Sequence, residues 1–151
     1  MFLGRFSHTL DEKGRITLPA RWREGLTEEL VVTRGLDGCL FVLPKSKFQE
    51  IAGAVDSLDV GKLDTRKYQR LLSGQSADAD LDKQGRILIS PDLRQFAGLD
   101  GEAILVGVYS RIEIWNPKRF EEINSTVEAE AQAVAERIGD LMIERTSAKN
   151  P

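Results

Sequence analysis

Two short segments of this chain repeat the same chemistry. Asp11-Glu12-Lys13-Gly14-Arg15-Ile16 recurs as Asp82-Lys83-Gln84-Gly85-Arg86-Ile87. In Asp-x-x-Gly-Arg between two strand patterns, the aspartate can accept hydrogen bonds from amides of its own turn, and the glycine supplies a positive φ at little steric cost. Asp11, Gly14, Asp82 and Gly85 are therefore read as turn-forming residues. Such a turn fixes the direction of the arginine that follows, Arg15 or Arg86, and each copy adds a lysine, Lys13 or Lys83. An arginine on a rigid hairpin suits bidentate contact with phosphate or with guanine in the DNA major groove, which also admits a two-stranded β-ribbon. The same spacing equally lets Arg15 and Arg86 pair with Asp11 and Asp82 and only brace the hairpin.

The other reactive residue types point away from catalysis. The single cysteine, Cys39, lies in the apolar run Cys39-Leu40-Phe41-Val42-Leu43 and reads as a small core residue. His8, the only histidine, alternates with Phe6 and Leu10 on a strand pattern and has no neighbouring cysteine or second histidine for a metal. Trp22 and Trp115 adjoin apolar segments and read as core or interface aromatics. No serine, cysteine or histidine constellation and no phosphate-cradling glycine loop is present, so neither an enzyme activity, a cofactor nor a metal is expected.

The elements that must position the two turns follow from an internal repeat at an offset of about 71 to 73 residues. Phe6, His8 and Leu10 fall opposite Ala77, Ala79 and Leu81, each set alternating with polar residues as a half-buried strand requires. Pro19 and Ser90-Pro91 start short helices, with Ser90 as N-cap. Leu40-Phe41-Val42-Leu43 parallels Ile112-Glu113-Ile114-Trp115, and helices are predicted to open at Phe48 and Phe120. Each copy thus reads strand, turn, strand, short helix, strand, strand, helix, an α+β pattern. Boundaries follow at 5–58 for repeat 1, 59–75 for a bridging helix, 76–124 for repeat 2, and 125–151 for a C-terminal acidic amphipathic helix and tail. A module of about 70 residues is small for independent stability, so the copies are expected to share one core.

Charge is unevenly placed along the 151 residues. The net charge is −3, yet residues 121–151 hold seven acids against three bases, leaving 1–120 with 18 bases against 17 acids. Arg5, Lys13, Arg15, Arg21 and Arg23 outnumber the acids of the first 24 residues, so a local basic face can form on a chain that is acidic in its tail. No apolar run approaches a membrane span and no signal-peptide pattern opens the chain, so a cytoplasmic protein without membrane association is expected.

These motifs resemble the MraZ family of bacterial transcriptional regulators, which carry two tandem SpoVT-AbrB domains. The resemblance rests on Met1-Phe2-Leu3-Gly4, on Asp11 through Ala20, on Leu81 through Ile89, and on Leu93-Arg94, Ala97-Gly98-Leu99 and Glu113-Ile114-Trp115, and so covers nearly the whole chain. Two departures are Ser90, where the family more often has proline, and Gln75-Ser76 in place of the usual Gly-Ala. The resemblance implies a swapped-hairpin AbrB-like β-barrel with flanking helices, built by the two repeats, and a ring-shaped homo-oligomer. It also implies binding to direct repeats of double-stranded promoter DNA, repression of the protein's own division and cell-wall operon, and association with the nucleoid. By the same likeness Lys13, Arg15, Lys83 and Arg86 match the DNA-facing turns.

Overall fold

The computed structural model describes residues 1–149. Repeat 1 contains β1 (Phe2–Thr9), β2 (Arg15–Thr17), α1 (Ala20–Arg23), β3 (Leu30–Arg34), β4 (Leu40–Pro44) and α2 (Lys45–Asp56). A helix, α3 (Leu63–Leu72), follows, and then β5 (Ala77–Asp78), β6 (Arg86–Leu88), α4 (Pro91–Ala97), β7 (Glu102–Tyr109), β8 (Arg111–Trp115) and α5 (Pro117–Lys149). The fold is thus mixed α+β. The same order of elements occurs in both repeats, as the sequence pattern implies.

The strand pairing interleaves the two repeats. A six-stranded antiparallel sheet runs β1-β7-β8-β4-β3-β5, and a two-stranded ribbon pairs β2 with β6. Exchanging the repeats maps this order onto itself, so a pseudo-twofold axis passes through the ribbon, where Ile16 faces Ile87, and through the β4–β8 pair, where Phe41 faces Glu113. The sheet order is open, ending at β1 and β5; among the described residues the hydrogen bonding records no closed barrel.

One core serves both copies. Ile16, Leu18, Ile87 and Ile89 are fully buried in a cluster with Leu40, Leu105, Ile112 and Ile114. Each side chain of this size stabilises by about 1.5–3 kcal/mol when fully buried. Trp22 packs edge-on against Phe2 and Phe6, with centroids 6.1 and 5.0 Å away, and its indole N–H donates to Leu3 O at 2.9 Å. Trp115 is likewise buried. Cys39 is fully buried and donates to Leu36 O; burial pushes its thiol up to about 12, so it stays protonated and serves as packing.

Three local details differ from the sequence pattern or explain it. α2 and α5 begin about three residues before Phe48 and Phe120, beside Pro44 and Pro117. Proline has a helix-compatible φ and no N–H to leave unpaired, so it sits naturally where a helix starts. β5 spans only Ala77–Asp78, whereas β1 spans eight residues; Ala77 and Ala79 offer little apolar surface compared with Phe6 and Leu10, and the chain leaves the sheet once Ala79 N has donated to Leu30 O at 2.8 Å. α4 begins as expected, with Ser90 accepting from Leu93 N and Pro91 behind it, and it ends at Gly98, which takes the left-handed conformation at its C-terminus.

The chain divides into two units, Met1–Pro117 and the part from Lys118 onward. The second unit is the continuous helix α5, whose Val127, Ile138 and Leu141 are exposed. Among the described residues no helix is long and apolar enough to cross a membrane, and no cluster of three or more His, Cys, Asp or Glu could hold a metal ion.

Candidate nucleic-acid interface

The two turns are near-identical in construction. Asp11 Oδ1 accepts from the amides of Lys13 (3.0 Å) and Arg15 (2.8 Å), and Gly14 N, at φ +83°, donates to Asp11 O at 3.0 Å. In the second turn Asp82 Oδ1 accepts from Gln84 N and Arg86 N, each at 2.9 Å, and Gly85 N, at φ +76°, donates to Asp82 O at 3.0 Å. Each aspartate therefore closes its own turn. The amide of the following arginine is the largest influence holding each carboxyl below its usual value; partial burial opposes it, and the arginine side chain adds to it.

The two turns are locked to each other across the axis. Leu18 N donates to Gly85 O and Ile89 N to Gly14 O, both at 2.9 Å, so each turn hangs on the strand of the other repeat. Arg86 Nη1 also lies 3.7 Å from Asp11 Oδ2. The two turns stand at opposite ends of this three-residue antiparallel ribbon, Arg15 facing Leu88 and Arg86 facing Thr17, and its shortness keeps the four basic residues singled out in the sequence near one another.

The arginines do brace their hairpins. Arg15 Nε bonds Asp11 Oδ2 at 2.6 Å, and Arg86 Nε bonds Asp82 Oδ2 at 2.8 Å. This engages the inner edge of each guanidinium. Arg86 has a further bond from Nη2 to Gln84 Oε1 at 3.2 Å, whereas among the described residues no protein acceptor meets the Nη groups of Arg15. Lys13 and Lys83 are exposed and have no ion-pair partner among the described residues. Bracing and outward contact are therefore compatible, with Arg15 the freer of the two arginines.

Sequence reasoning missed a second pair of arginines. The guanidinium of Arg94 lies against Gly14, so close that a Cβ there would fall 2.7 Å from Arg94 Cζ, and Arg23 lies in the same way against Gly85. Each repeat thereby places an arginine under the turn of the other. Arg23 Nε donates to Leu18 O at 3.0 Å, while Arg94 Nε is buried without a hydrogen-bond partner among the described residues. The available signal was the repeat itself, because each of these arginines stands eight residues after the arginine of its own motif. Six cationic side chains then outnumber Asp11, Glu12 and Asp82 around the paired turns, an arrangement that can attract an anionic ligand.

Comparison with known proteins matches this doubled architecture. The sequence profile of the MraZ protein family, antitoxin-like, matches twice, over residues 1–71 and 73–141. The chain belongs to the MraZ family. Relatives within it include the transcriptional regulator MraZ of Roseiflexus sp. (strain RS-1), 45% identical over 93% of this chain and 99% of that one. The transcriptional regulator MraZ of Desulforamulus reducens is 42% identical over 94% of this chain and all of its own length. The two MraZ matches divide the chain at Leu72, the last residue of α3, between the two interleaved copies.

Acid should loosen the MraZ turns. A carboxylate whose folded pKa is depressed stabilises above its unfolded value, about 3.9, and that contribution is lost as pH falls through the folded value. The amide resonances of Arg15 and Arg86 are expected to stay fixed from pH 7 to about 4 and to shift together below it. Asp11→Asn should remove the Arg15 response and leave that of Arg86.

Proposed function

We propose that this chain is a sequence-selective DNA-binding transcriptional regulator. The observation that carries the reading is the pair of interlocked turns, which present Lys13, Arg15, Lys83 and Arg86 together on a rigid ribbon; the names of its relatives support it. The lysines neutralise phosphate, and the outer edges of the arginines reach phosphate or guanine. Interleaved hairpins of this kind are proposed to complete a swapped-hairpin barrel that holds both turns in one orientation. One protomer offers few contacts, so a ring-shaped homo-oligomer on promoter direct repeats would gain affinity through effective concentration. The target proposed is the protein's own division and cell-wall operon, repressed in the cytoplasm at the nucleoid.

The test is a salt-titrated binding assay on the DNA upstream of the gene, with a scrambled duplex as control. Selective binding that weakens steeply with salt is expected. Lys13→Ala should weaken binding to both duplexes alike and reduce the salt slope by about 1. Equal affinity for the two duplexes at every salt concentration would refute sequence-selective binding.

A further inference from the structure

α5 repeats the apolar stripe of α2 but then extends far beyond it. Ile51 and Val55 are half-buried on α2, which lies beside α3. Their counterparts on α5, Ile123 and Val127, are 36% and 48% exposed, and the stripe runs on through Val134 to Ile138 and Leu141, the last two 50% and 57% exposed. No element equivalent to α3 follows α5 among the described residues. A 33-residue helix with an uncovered apolar stripe is stable in water when a partner helix covers that stripe.

The order of residues selects the partner. From Asn124 the stripe follows a 3–4 spacing, Asn124, Val127, Ala131, Val134, Ile138 and Leu141, as a two-helix seam requires. The spacing of this series is symmetric about a point between Gln132 and Ala133, and its inner members are aliphatic on both sides, Ala131 answering Val134 and Val127 answering Ile138, while the outer pair sets Asn124 against Leu141. Laid antiparallel on a second copy about that point, Ala131 meets Val134, Val127 meets Ile138, and Asn124 meets Leu141. The charged residues flanking the seam obey the same symmetry, since Glu130 of each helix then stands beside Arg137 of the other. Neither has an ion-pair partner within its own chain among the described residues. They are seven residues apart, about 10 Å along one helix, too far to pair intramolecularly. A parallel pairing loses both ion pairs and stacks Arg145 on Arg145 in the seam.

We infer that α5 is a self-association element, pairing antiparallel with α5 of a second copy in an isologous contact centred between Gln132 and Ala133. Because the contact is twofold, it closes on itself and joins two copies of the DNA-facing unit. It requires neither DNA binding nor a ring; being isologous, it is distinct from the head-to-tail contacts that build a ring, and where rings form it links two of them.

The experiment is light scattering of the full-length protein eluting from gel filtration, with Glu130→Arg, Arg137→Glu and the double variant. Either single reversal should halve the mass at a fixed micromolar concentration, because each places two like-charged pairs beside the seam. The double variant should restore the wild-type mass, since both pairs are re-formed with opposite polarity. Helical content by circular dichroism should fall in the single variants, by no more than α5 contributes, and return to the wild-type value in the double variant. A wild-type mass of one chain, single variants that keep the wild-type mass, or a double variant as small as the singles would each overturn the pairing. Loss of DNA binding in a variant that keeps its mass would bear on the DNA reading alone.

Discussion

Alanine at both Arg15 and Arg86 is expected to lower affinity for promoter DNA by about 100-fold or more, because each arginine contact is worth roughly 1–3 kcal/mol and every 1.4 kcal/mol is tenfold. The fold should survive. The aspartates keep their Oδ1 bonds from the amides of Lys13, Arg15, Gln84 and Arg86, which do not depend on the arginine side chains. The single variants should differ. Arg86 divides its guanidinium among Asp82, Gln84 and the vicinity of Asp11, while the Nη groups of Arg15 meet no protein acceptor among the described residues, so Arg15→Ala should lose more affinity than Arg86→Ala. Fluorescence anisotropy on a labelled duplex, with thermal melts of the same samples, measures both effects. Undiminished affinity in the double variant would mean that the arginines only brace their hairpins.

Gly14→Ala should cost about 3 kcal/mol or more of stability, from a left-handed backbone worth roughly 1–2 kcal/mol and a steric clash of similar size. The added Cβ would fall 2.9 Å from Ile89 O and 2.7 Å from Arg94 Cζ. The first is backbone held in place by the Ile89 N bond to Gly14 O, and it cannot move without opening the ribbon. Gly25→Ala is the control: its φ, +79°, is nearly that of Gly14, and nothing lies within 4 Å of its Cβ position. It should cost only the conformational part, about 1 kcal/mol. Urea unfolding with unchanged m-values gives both figures. Equal losses would show that the close approach of the two repeats at Gly14 contributes nothing.

Much of the fold was legible because it is encoded locally and twice. Alternation at Phe6, His8 and Leu10, the Asp-x-x-Gly-Arg turns, and Ser90-Pro91 each act within a few residues, and their recurrence marked the element order of both copies. The extent of a strand was less legible. β5 stops after two residues because sheet pairing is sustained by side-chain packing across strands, and that depends on which neighbours arrive.

For the candidate site, the sequence alone determined which residues build the turns and that each turn ends in an arginine. It left bracing and outward contact as open alternatives, since spacing places Arg15 within reach of Asp11 but does not say which edge of a planar guanidinium is used. Only the tertiary structure decided that Nε is taken and that Arg15 keeps its Nη groups outward of that bond, that β2 pairs with β6 of the other copy, and that Arg23 and Arg94 cross over to lie under Gly85 and Gly14. The physical reason is range: a turn closes through bonds spanning two to four residues, which the order of residues fixes, whereas these crossings join residues some 70 positions apart and exist only once the shared core has drawn the two copies together.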